Sequence, residues 1–204
     1  MTEEEARRWI VERFGEAGAT RMEKLAGLVS DEAARQNLVA PSTLATMWSR
    51  HIVDSAQLID FAAETPGDWL DIGTGAGFPG LVIAALTDRA VTLVEPRRRR
   101  AAFLSEAAET LGIANQVTVI ASKVEGVTMS AAVISARAVS ALALLFGSAI
   151  QCSRRKTLWI LPKGQSAREE IATAQQTWHG VFHVEHSVTD SNSLIVLAKG
   201  VSRR

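Results

Sequence analysis

The strongest chemical signal in the sequence is a glycine-rich stretch over residues 69–80, which reads Trp-Leu-Asp-Ile-Gly-Thr-Gly-Ala-Gly-Phe-Pro-Gly. An apolar, strand-like segment leads there into a turn that is rich in glycine. Pro79 stands where a helix can begin, because the N–H that proline lacks is not needed at the first helical position. Glycines let a ligand approach the backbone closely, and the N-terminus of the following helix offers free N–H groups. The stretch therefore predicts a loop that holds a nucleotide-like cofactor.

Two acids near this loop bear on which cofactor it holds. Gly75, Gly77 and Gly80 fit the dinucleotide-binding pattern G-x-G-x-x-G, but Asp71 would repel a nearby pyrophosphate. The same carboxylate can accept hydrogen bonds around the amino-acid end of a cationic cofactor, which favours S-adenosylmethionine over NAD. Glu95, at the end of the second predicted strand, suits the ribose hydroxyls in either kind of site. A tight strand-to-helix turn without a ligand is the simpler alternative.

The reactive residues that the sequence offers narrow the choice of methyl acceptor. Methylation of a pyrimidine carbon needs a cysteine nucleophile, and the single cysteine, Cys152, lies in a segment that looks structural. The segment Ile134–Arg137, after the fourth strand, lacks the Pro-Pro-aromatic turn that is typical of exocyclic-amine methylation. A ring nitrogen such as guanine N7 has a lone pair and no proton, so it needs in-line positioning and no general base. Elimination therefore favours a ring nitrogen.

A run of four arginines, Arg97, Arg98, Arg99 and Arg100, opens the helix that the pattern predicts over residues 97–111. Cations at a helix N-terminus oppose the helix dipole at about 0.3–1 kcal/mol each, so the run is a poor choice for stability alone. A phosphate partner would make these side chains useful. A solvated basic face is the equally weighted alternative.

Histidines raise the question of further catalytic or metal chemistry. His51 and Asp54 are three residues apart on a predicted helix, so their side chains can meet, either as a structural hydrogen bond or on the substrate side. His179, His183 and His186 have a spacing that resembles a metal site. His183 and His186 would point to opposite faces of a strand, so no metal site is expected.

The elements that must position these residues follow from the hydrophobic pattern. Residues 1–65 show helical periodicity, and from Asp68 onward short apolar strands alternate with helices predicted over 80–87, 97–111, 138–150 and 166–177. This alternation predicts an α/β fold with a mostly parallel, Rossmann-like sheet, whose last two strands form an antiparallel hairpin. We expect one compact unit with a helical extension over 1–65 and a cofactor-binding core over 66–204.

Composition limits the class of protein. Among the 204 residues, 22 basic side chains balance 22 acidic ones. The zero net charge excludes a generally basic nucleic-acid binder but not a local basic patch. One cysteine excludes an internal disulfide framework and a cysteine-based metal cage. Neither a signal peptide nor a membrane-length apolar run is visible, so we expect a soluble cytoplasmic protein.

Together, these motifs resemble those of a known family, the bacterial small-subunit rRNA guanine-N7 methyltransferases, formerly called glucose-inhibited division protein B. The stretch 69–80 resembles the signature loop of that family. Further similar segments are Gln36–Val39, Trp48–Ser55, Thr92–Glu95, Arg98–Leu104, Val133–Ala138 and Lys163–Gly164. The resemblance covers roughly residues 35–170, and these motifs in this order are highly specific.

The resemblance implies a class I S-adenosylmethionine-dependent methyltransferase with a seven-stranded sheet and an antiparallel last strand. It also implies methyl transfer to N7 of a guanine, position 527 in the 530 loop of 16S rRNA, within the free rRNA or a small-subunit precursor. The predicted cofactor-binding residues are Asp71, Gly73, Thr74, Gly75, Gly77, Phe78, Glu95, Val124, Glu125 and Arg137. The predicted catalytic and substrate-side residues are Asn37, Arg50, His51, Arg137 and Lys163. Arg97, Arg98, Arg99, Arg100 and Lys163 are the predicted RNA-binding residues.

Two other functions fit the same fold class. A methyltransferase of this fold could act on a small molecule or a protein, because fold does not settle the substrate. A non-catalytic nucleotide-binding module, such as one for NAD, is the second alternative. We further expect a monomer that uses no metal and does not bind membranes.

Overall fold

The computed structural model describes all residues 1–204, and a seven-stranded sheet forms its centre. The strands are β1 (Trp69–Ile72), β2 (Val91–Val94), β3 (Val117–Ile120), β4 (Val133–Ala136), β5 (Leu158–Lys163), β6 (Trp178–His186) and β7 (Leu194–Arg203). Their order across the sheet is β3-β2-β1-β4-β5-β7-β6. The first five strands are parallel, whereas β7 runs antiparallel to both β5 and β6. The predicted mostly parallel sheet with a terminal hairpin is confirmed.

Seven α-helices and four 3-10 or π-helical segments surround or precede the sheet, two of the latter being the 3-10 turns Val124–Gly126 and Ile150–Cys152. The α-helices are α1 (Glu3–Ala33), α2 (Asp54–Ala56), α3 (Leu58–Phe61), α4 (Gly80–Leu86), α5 (Arg98–Thr110), α6 (Leu142–Ala149) and α7 (Ala167–Ala174). A 3-10 helix over Pro41–Thr46 leads into a π-helical segment over Trp48–Val53. Such π-helical turns are rare and are frequent at functional sites. No helix combines the length and the apolar character that crossing a bilayer requires.

The sequence dictates the start of α1 through a capping box. Thr2 accepts a hydrogen bond from the Glu5 backbone N–H at 3.2 Å, and the Glu5 carboxylate accepts one from the Thr2 N–H at 2.7 Å. The two reciprocal bonds satisfy donors that the first helical turn would otherwise leave free. Helix α1 therefore begins at Glu3, the residue whose carboxylate contacts the π-helical segment.

Alternate residues of the central strands face two separate apolar cores. Trp69 and Leu93 belong to the core beneath α1, α4 and α5, whereas Leu70 and Val94 belong to the core beneath α6 and α7. All four side chains are at most 1% exposed. A parallel sheet covered on both faces needs such apolar residues on both faces of its strands. The N-terminal helices share the first core with α4 and α5.

The strand order determines where a ligand can bind. Strand β1 is flanked by β2 on one side and by β4 on the other, so the chain leaves the sheet in opposite directions from neighbouring strands. A crevice opens outside the carboxyl ends of the strands at such a point. The loop after β1 and the loop after β4 therefore meet at one edge of the sheet.

One predicted helix begins later than the sequence pattern indicates. The apolar pattern predicts a helix over 138–150, but α6 begins at Leu142. Residues 137–141 form a loop instead, and Ala138 within it has a φ of 55°. That left-handed conformation is uncommon for a residue with a Cβ, and such strain is concentrated at functional sites. This loop lines the cavity described below.

Candidate active site

A cavity of about 690 Å³ lies at the carboxyl ends of β1, β4 and β5. It is lined by residues from the N-terminal helical region, the glycine loop, the loop after β4, the end of β5, α7 and the start of β7. Its polar lining includes Arg50, His51, Asp54, Thr74, Arg100, Arg137, Lys163 and Glu170. The structure thus brings together residues that are far apart in the sequence.

The glycine loop after β1 packs too closely for ordinary side chains at three positions, Gly73, Gly77 and Gly80. A Cβ on Gly80 would lie 2.2 Å from Leu93 Cδ2 and 2.9 Å from Asp71 Oδ2. Gly73 has a φ of 65°, and a Cβ there would lie 2.7 Å from Val139 Cγ2. These glycines bring α4 onto the sheet and place the loop after β4 against the loop after β1.

Asp71 holds this loop together from within and does not line the cavity. Its Oδ1 accepts a hydrogen bond from Ser135 Oγ at 2.6 Å, and its Oδ2 accepts one from the Gly80 N–H at 3.0 Å. Ser135 Oγ also accepts from Trp69 Nε1 at 2.8 Å. The Asp71 residue is fully buried. Both carboxylate oxygens of Asp71 thus bond to its own chain, and its predicted contact with the cofactor stays a prediction.

Burial raises the pKa of Asp71 to about 6, against the opposing effect of the hydrogen bonds from Ser135 and Gly80. A charged carboxylate without solvent is costly, so the proton binds more tightly. The sequence reveals the acid but not its inward orientation. That orientation depends on Ser135, which is its register partner on β4.

Glu95 lies beside the glycine loop, as the spacing predicts. Its Oε2 accepts from the Gly75 N–H at 3.1 Å, and its Oε1 accepts from the Arg97 N–H at 2.9 Å. Each carboxylate oxygen has two lone-pair sites, so both can accept one more bond. Gly73 and Gly75 are the partly exposed residues of the loop 73–79. Partly exposed glycine backbone beside a buried carboxylate with spare acceptor capacity fits the ribose and amino-acid ends of S-adenosylmethionine.

Val124 and Glu125 begin the short 3-10 turn Val124–Gly126, which follows β3. The Val124 side chain is buried in the core beneath α6, and Glu125 is exposed. Neither residue lines the main cavity. The Val124 carbonyl accepts a hydrogen bond from Gln151 Nε2 at 2.8 Å, which fixes this turn against the segment that follows α6.

Phe78, His51 and Arg137 form a stack at the cavity wall. The His51 and Phe78 rings are 5.0 Å apart with an interplanar angle of 20°, and the Arg137 guanidinium carbon lies 5.4 Å from the Phe78 ring centre. Arg137 also lies 2.9 Å from His51 Nδ1. The aromatic face and the guanidinium attract each other electrostatically. The three residues come from the π-helical segment, the glycine loop and the end of β4.

His51 is held neutral by this arrangement. Burial, together with the positive charges of Arg137 and Arg50, lowers the pKa of His51 to about 3. Its Nε2 lies 2.8 Å from Thr43 Oγ1, so both ring nitrogens have a partner. The predicted hydrogen bond between His51 and Asp54 is not formed, because each side chain contacts Arg137 instead. The substrate-side role of His51 stays a prediction.

Asp54 is a site residue that the sequence reasoning treated only as a neighbour of His51. Its Oδ2 lies 3.3 Å from Arg137 Nη1, and both side chains are less than one-fifth exposed. Its Oδ1 accepts from Gln57 Nε2 at 3.1 Å and from Ser187 Oγ at 3.2 Å. Asp54 therefore joins Arg137 to the turn that connects β6 and β7. In the sequence, Asp54 is marked only by its place beside His51 in the segment Trp48–Ser55. Its partners Arg137 and Ser187 are distant in the sequence.

Arg50 lies on the rim of the same cavity. It forms an ion pair with Asp190 at 3.6 Å, and its backbone carbonyl accepts from Arg137 Nη1 at 3.1 Å. The Glu3 carboxylate of α1 binds the backbone N–H groups of Trp48 and Ser49, each at 2.9 Å. Glu3 thereby caps the π-helical segment that carries Arg50 and His51. The sequence gives no local signal for this contact, which spans 45 residues.

Lys163, at the end of β5, lies on the opposite wall. Its Nζ donates to the Ser140 carbonyl at 2.6 Å and to Glu170 Oε2 at 2.8 Å. Burial would raise the pKa of Glu170, but the hydrogen bond and charge of Lys163 outweigh it and lower that pKa below its usual value. Glu170 is a second lining residue that the sequence reasoning missed.

The arginine run lies beside the cavity at the N-terminus of α5. Arg97, Arg98 and Arg99 are exposed, whereas the Arg100 guanidinium lines the cavity and donates to the Asn37 backbone carbonyl. Asn37 itself is exposed and is not among the lining residues. The Arg100 contact joins the segment after α1 to the arginine run.

Comparisons with known proteins identify the family to which the chain belongs. A profile of the GidB family, described as rRNA small subunit methyltransferase G, matches residues 19–194. The chain is 46% identical over 207 residues to the Ribosomal RNA small subunit methyltransferase G of Rhizorhabdus wittichii, covering 100% of this chain and 95% of that protein. The protein of the same name from Novosphingobium aromaticivorans is 47% identical over 205 residues, covering 98% and 89%. The chain belongs to the GidB family.

Solved structures show the fold that the GidB chain shares with other methyltransferases. An S-adenosyl-L-methionine-dependent methyltransferase described as putative, from Methanococcus maripaludis, has a TM-score of 0.61 at 10% identity, covering 86% of this chain and 92% of that one. An O-methyltransferase from Bacillus cereus, solved with SAH, has a TM-score of 0.59 at 13% identity, covering 87% and 90%. The predicted family, class I methyltransferase fold and S-adenosylmethionine cofactor are confirmed.

Proposed function

We propose that this chain transfers the methyl group of S-adenosylmethionine to N7 of a guanine in the 530 loop of 16S rRNA. Membership of the GidB family supports small-subunit rRNA as the acceptor. The choice of N7 rests on the chemistry of the cavity. S-adenosylmethionine supplies an electrophilic methyl group, so the acceptor atom needs a free lone pair in line with it.

The loop after β1 and the acid after β2 would hold the cofactor. Glu95 offers lone pairs to the ribose hydroxyls, and Gly73 and Gly75 expose backbone beside it. The Val124–Glu125 pair would border the adenine, and Phe78 and Arg137 would border the methionine end. Thr74 and Gly77 shape the loop between them, and Asp71 fixes it from behind.

One observation carries the choice of a ring nitrogen: the ionisable side chains on the cavity wall are already engaged. His51 has a partner at each ring nitrogen and a pKa of about 3. Asp54 is paired with Arg137, and Glu170 with Lys163. A neutral imidazole whose two ring nitrogens are both hydrogen-bonded is a poor general base, and so are two carboxylates that are already ion-paired. The wall therefore suits an acceptor such as guanine N7, which has no proton to lose.

The surface around the cavity suits an RNA strand. The exposed Arg97, Arg98 and Arg99 would contact phosphates, and Asn37 and Arg50 lie at the same rim. Lys163 faces the cavity and would contact the target nucleotide. Phosphate contacts position the strand, and contacts within the cavity select the base.

Mass mapping of 16S rRNA tests the proposal. RNA from cells that lack this protein should have lost one 7-methylguanine in the 530 loop. Purified protein and labelled S-adenosylmethionine should restore it on RNA or small-subunit particles from those cells. An Arg137→Ala variant should restore it at least about tenfold more slowly, because removing one buried partner also releases Asp54 and His51.

Arg168→Ala is the matched control, because Arg168 is an exposed arginine on α7 outside the cavity. It should methylate at the wild-type rate. Methylation of another atom or position, or transfer only to a small molecule or protein, would overturn the proposed function. Calorimetry that detects binding of NAD but not of S-adenosylmethionine would overturn it as well.

A further inference from the structure

Glu170 joins two loops that border the cavity. Its Oε2 accepts from Lys163 Nζ at 2.8 Å and from the Leu142 backbone N–H at 3.0 Å. Lys163 Nζ also donates to the Ser140 carbonyl at 2.6 Å. The Lys163–Glu170 pair therefore binds the end of the loop 137–141 on both sides of Ala141.

Glu170 also replaces a missing cap on α6. The N-cap residue, Ala141, has no side-chain acceptor, and the first turn of α6 contains no acid. The first N–H groups of a helix need acceptors from outside the helix, and a carboxylate there is favoured by the helix dipole. Glu170, which lies on α7, supplies both the hydrogen-bond acceptor and the negative charge. The loop that begins with Arg137 is thereby held at its far end.

Lys163 is oriented by the same contacts. An ammonium group has three donors, and two of them bind Ser140 and Glu170. The Lys163 side chain is 11% exposed, which separates it from the open arginines of α5. A partly buried, oriented donor in a cavity suits a carbonyl oxygen of a base, whereas phosphates are usually met by exposed cations.

We propose that Glu170 is a positioning residue that aims the Lys163 ammonium at a keto oxygen of the target base. The inference rests on the proposed function, because it assumes a base in the cavity. A guanine has its keto oxygen next to N7, and lysine is a common partner of that edge. Glu170 acts through Lys163 and does not itself touch the base.

A double-mutant cycle with Lys163→Met and Glu170→Gln tests this role. Glu170→Gln keeps an oxygen for the Leu142 N–H but removes the charge that holds Lys163. We expect kcat to fall about tenfold in Glu170→Gln and about 30-fold in Lys163→Met, as for the loss of one well-aimed base contact. The double variant should match Lys163→Met within about twofold. KM for RNA and the Kd for S-adenosylmethionine should stay within about twofold throughout.

Glu169→Gln is the matched control, since Glu169 is the exposed neighbour on the same helix. It should leave kcat unchanged. A purely structural cap would give independent, multiplying losses in the double variant, and that result would overturn the inference. A wild-type kcat in Glu170→Gln, or a rise in KM for RNA alone, would overturn it too.

The folding of the variants and the identity of the methyl acceptor are controlled separately. If Glu170→Gln does not fold by circular dichroism, Glu170→Asp takes its place in the cycle, because it keeps the charge but withdraws it by one methylene. The same loss of additivity with Lys163→Met is expected. The cycle is run on whichever acceptor the wild-type chain methylates. Methylation of a different acceptor would thus overturn the proposed function, while the four rates would still decide the role of Glu170.

Discussion

A partly buried histidine and a fully buried aspartate contribute to stability with opposite pH dependence. The pKa of His51 falls from an ordinary value of 6.5 to about 3, whereas that of Asp71 rises from 3.8 to about 6. Below about pH 6.5 the unfolded chain binds a proton at His51, whereas the folded chain does not. The stability that neutral His51 contributes is therefore lost as pH falls from about 6.5 towards 3. Asp71 binds a proton more tightly in the folded chain, so its contribution falls as pH rises from about 4 to 6. The two effects largely cancel between about pH 4 and 6.

Replacing His51 by Gln should separate these effects. At about pH 7.5 the variant should be less stable by about 1–2 kcal/mol, because the stack on Phe78 and a hydrogen bond are weakened. As pH falls below about 6.5, this difference should shrink by up to about 1.4 kcal/mol per pH unit. Urea unfolding at about pH 7.5, 6 and 5 measures it, with Asp71 common to both proteins. A difference that does not change with pH would contradict a neutral, buried His51.

At the scale of elements, the π-helical segment is held by a residue from the start of α1. Glu3 Oε1 accepts from both the N–H and the Oγ of Ser49, and its Oε2 accepts from the Trp48 N–H. Met47, the N-cap residue of the segment, has no side-chain cap of its own. The first helix therefore stabilises the backbone from which Arg50 and His51 project.

A Glu3→Ala substitution should destabilise the protein by about 1–2 kcal/mol, as for the loss of a helix cap. It should also lower kcat/KM for RNA by several-fold, while the Kd for S-adenosylmethionine stays within about twofold. Thermal melts, calorimetry and methylation rates are the measurements. Glu4→Ala is the comparison, since Glu4 forms only an exposed pair with Arg8 and should cost less than about 0.5 kcal/mol. Equal losses in both variants would argue against the cap.

Local elements were predictable from the sequence, and contacts between distant elements were not. The strand before Gly73 and the helix after it follow from periodicity and glycine spacing within a dozen residues. Glu3, Asp54 and Glu170 look like ordinary acids in a chain with 22 of them. Their roles depend on partners that only the folded sheet brings near. The late start of α6 has the same cause, because apolar periodicity cannot reveal that the loop 137–141 is held by Lys163 and Glu170.

Opposite ends of the sheet carry two separate basic surfaces. The carboxyl ends of the strands carry the cavity and the arginine run, whereas the exposed Arg154 and Arg155 precede β5 at the other end. The net charge of zero hides this distribution. A polyanion bound across the cavity mouth would contact the arginine run but not Arg154 and Arg155.

Reversing two charges in the run tests this arrangement. Arg98→Glu with Arg99→Glu should weaken RNA binding and flatten its salt dependence by roughly 0.7 in log–log slope per lost contact to a single strand. The Kd for S-adenosylmethionine should barely change. Arg154→Glu with Arg155→Glu makes the same charge change at the other end and should leave the RNA affinity near wild type. Equal weakening by the two pairs would indicate a general effect of net charge instead.

Strand β7 lies between β5 and β6 although it follows both in the chain, and β6 pairs with no other strand. During synthesis β6 therefore emerges before the strand with which it pairs, and the cavity lining is completed by Ser193 and Leu194, where β7 begins. A nascent chain still tethered to a ribosome would lack a finished pocket until β7 has left the exit tunnel. Modification of the translation machinery would thus be deferred until the enzyme itself is complete.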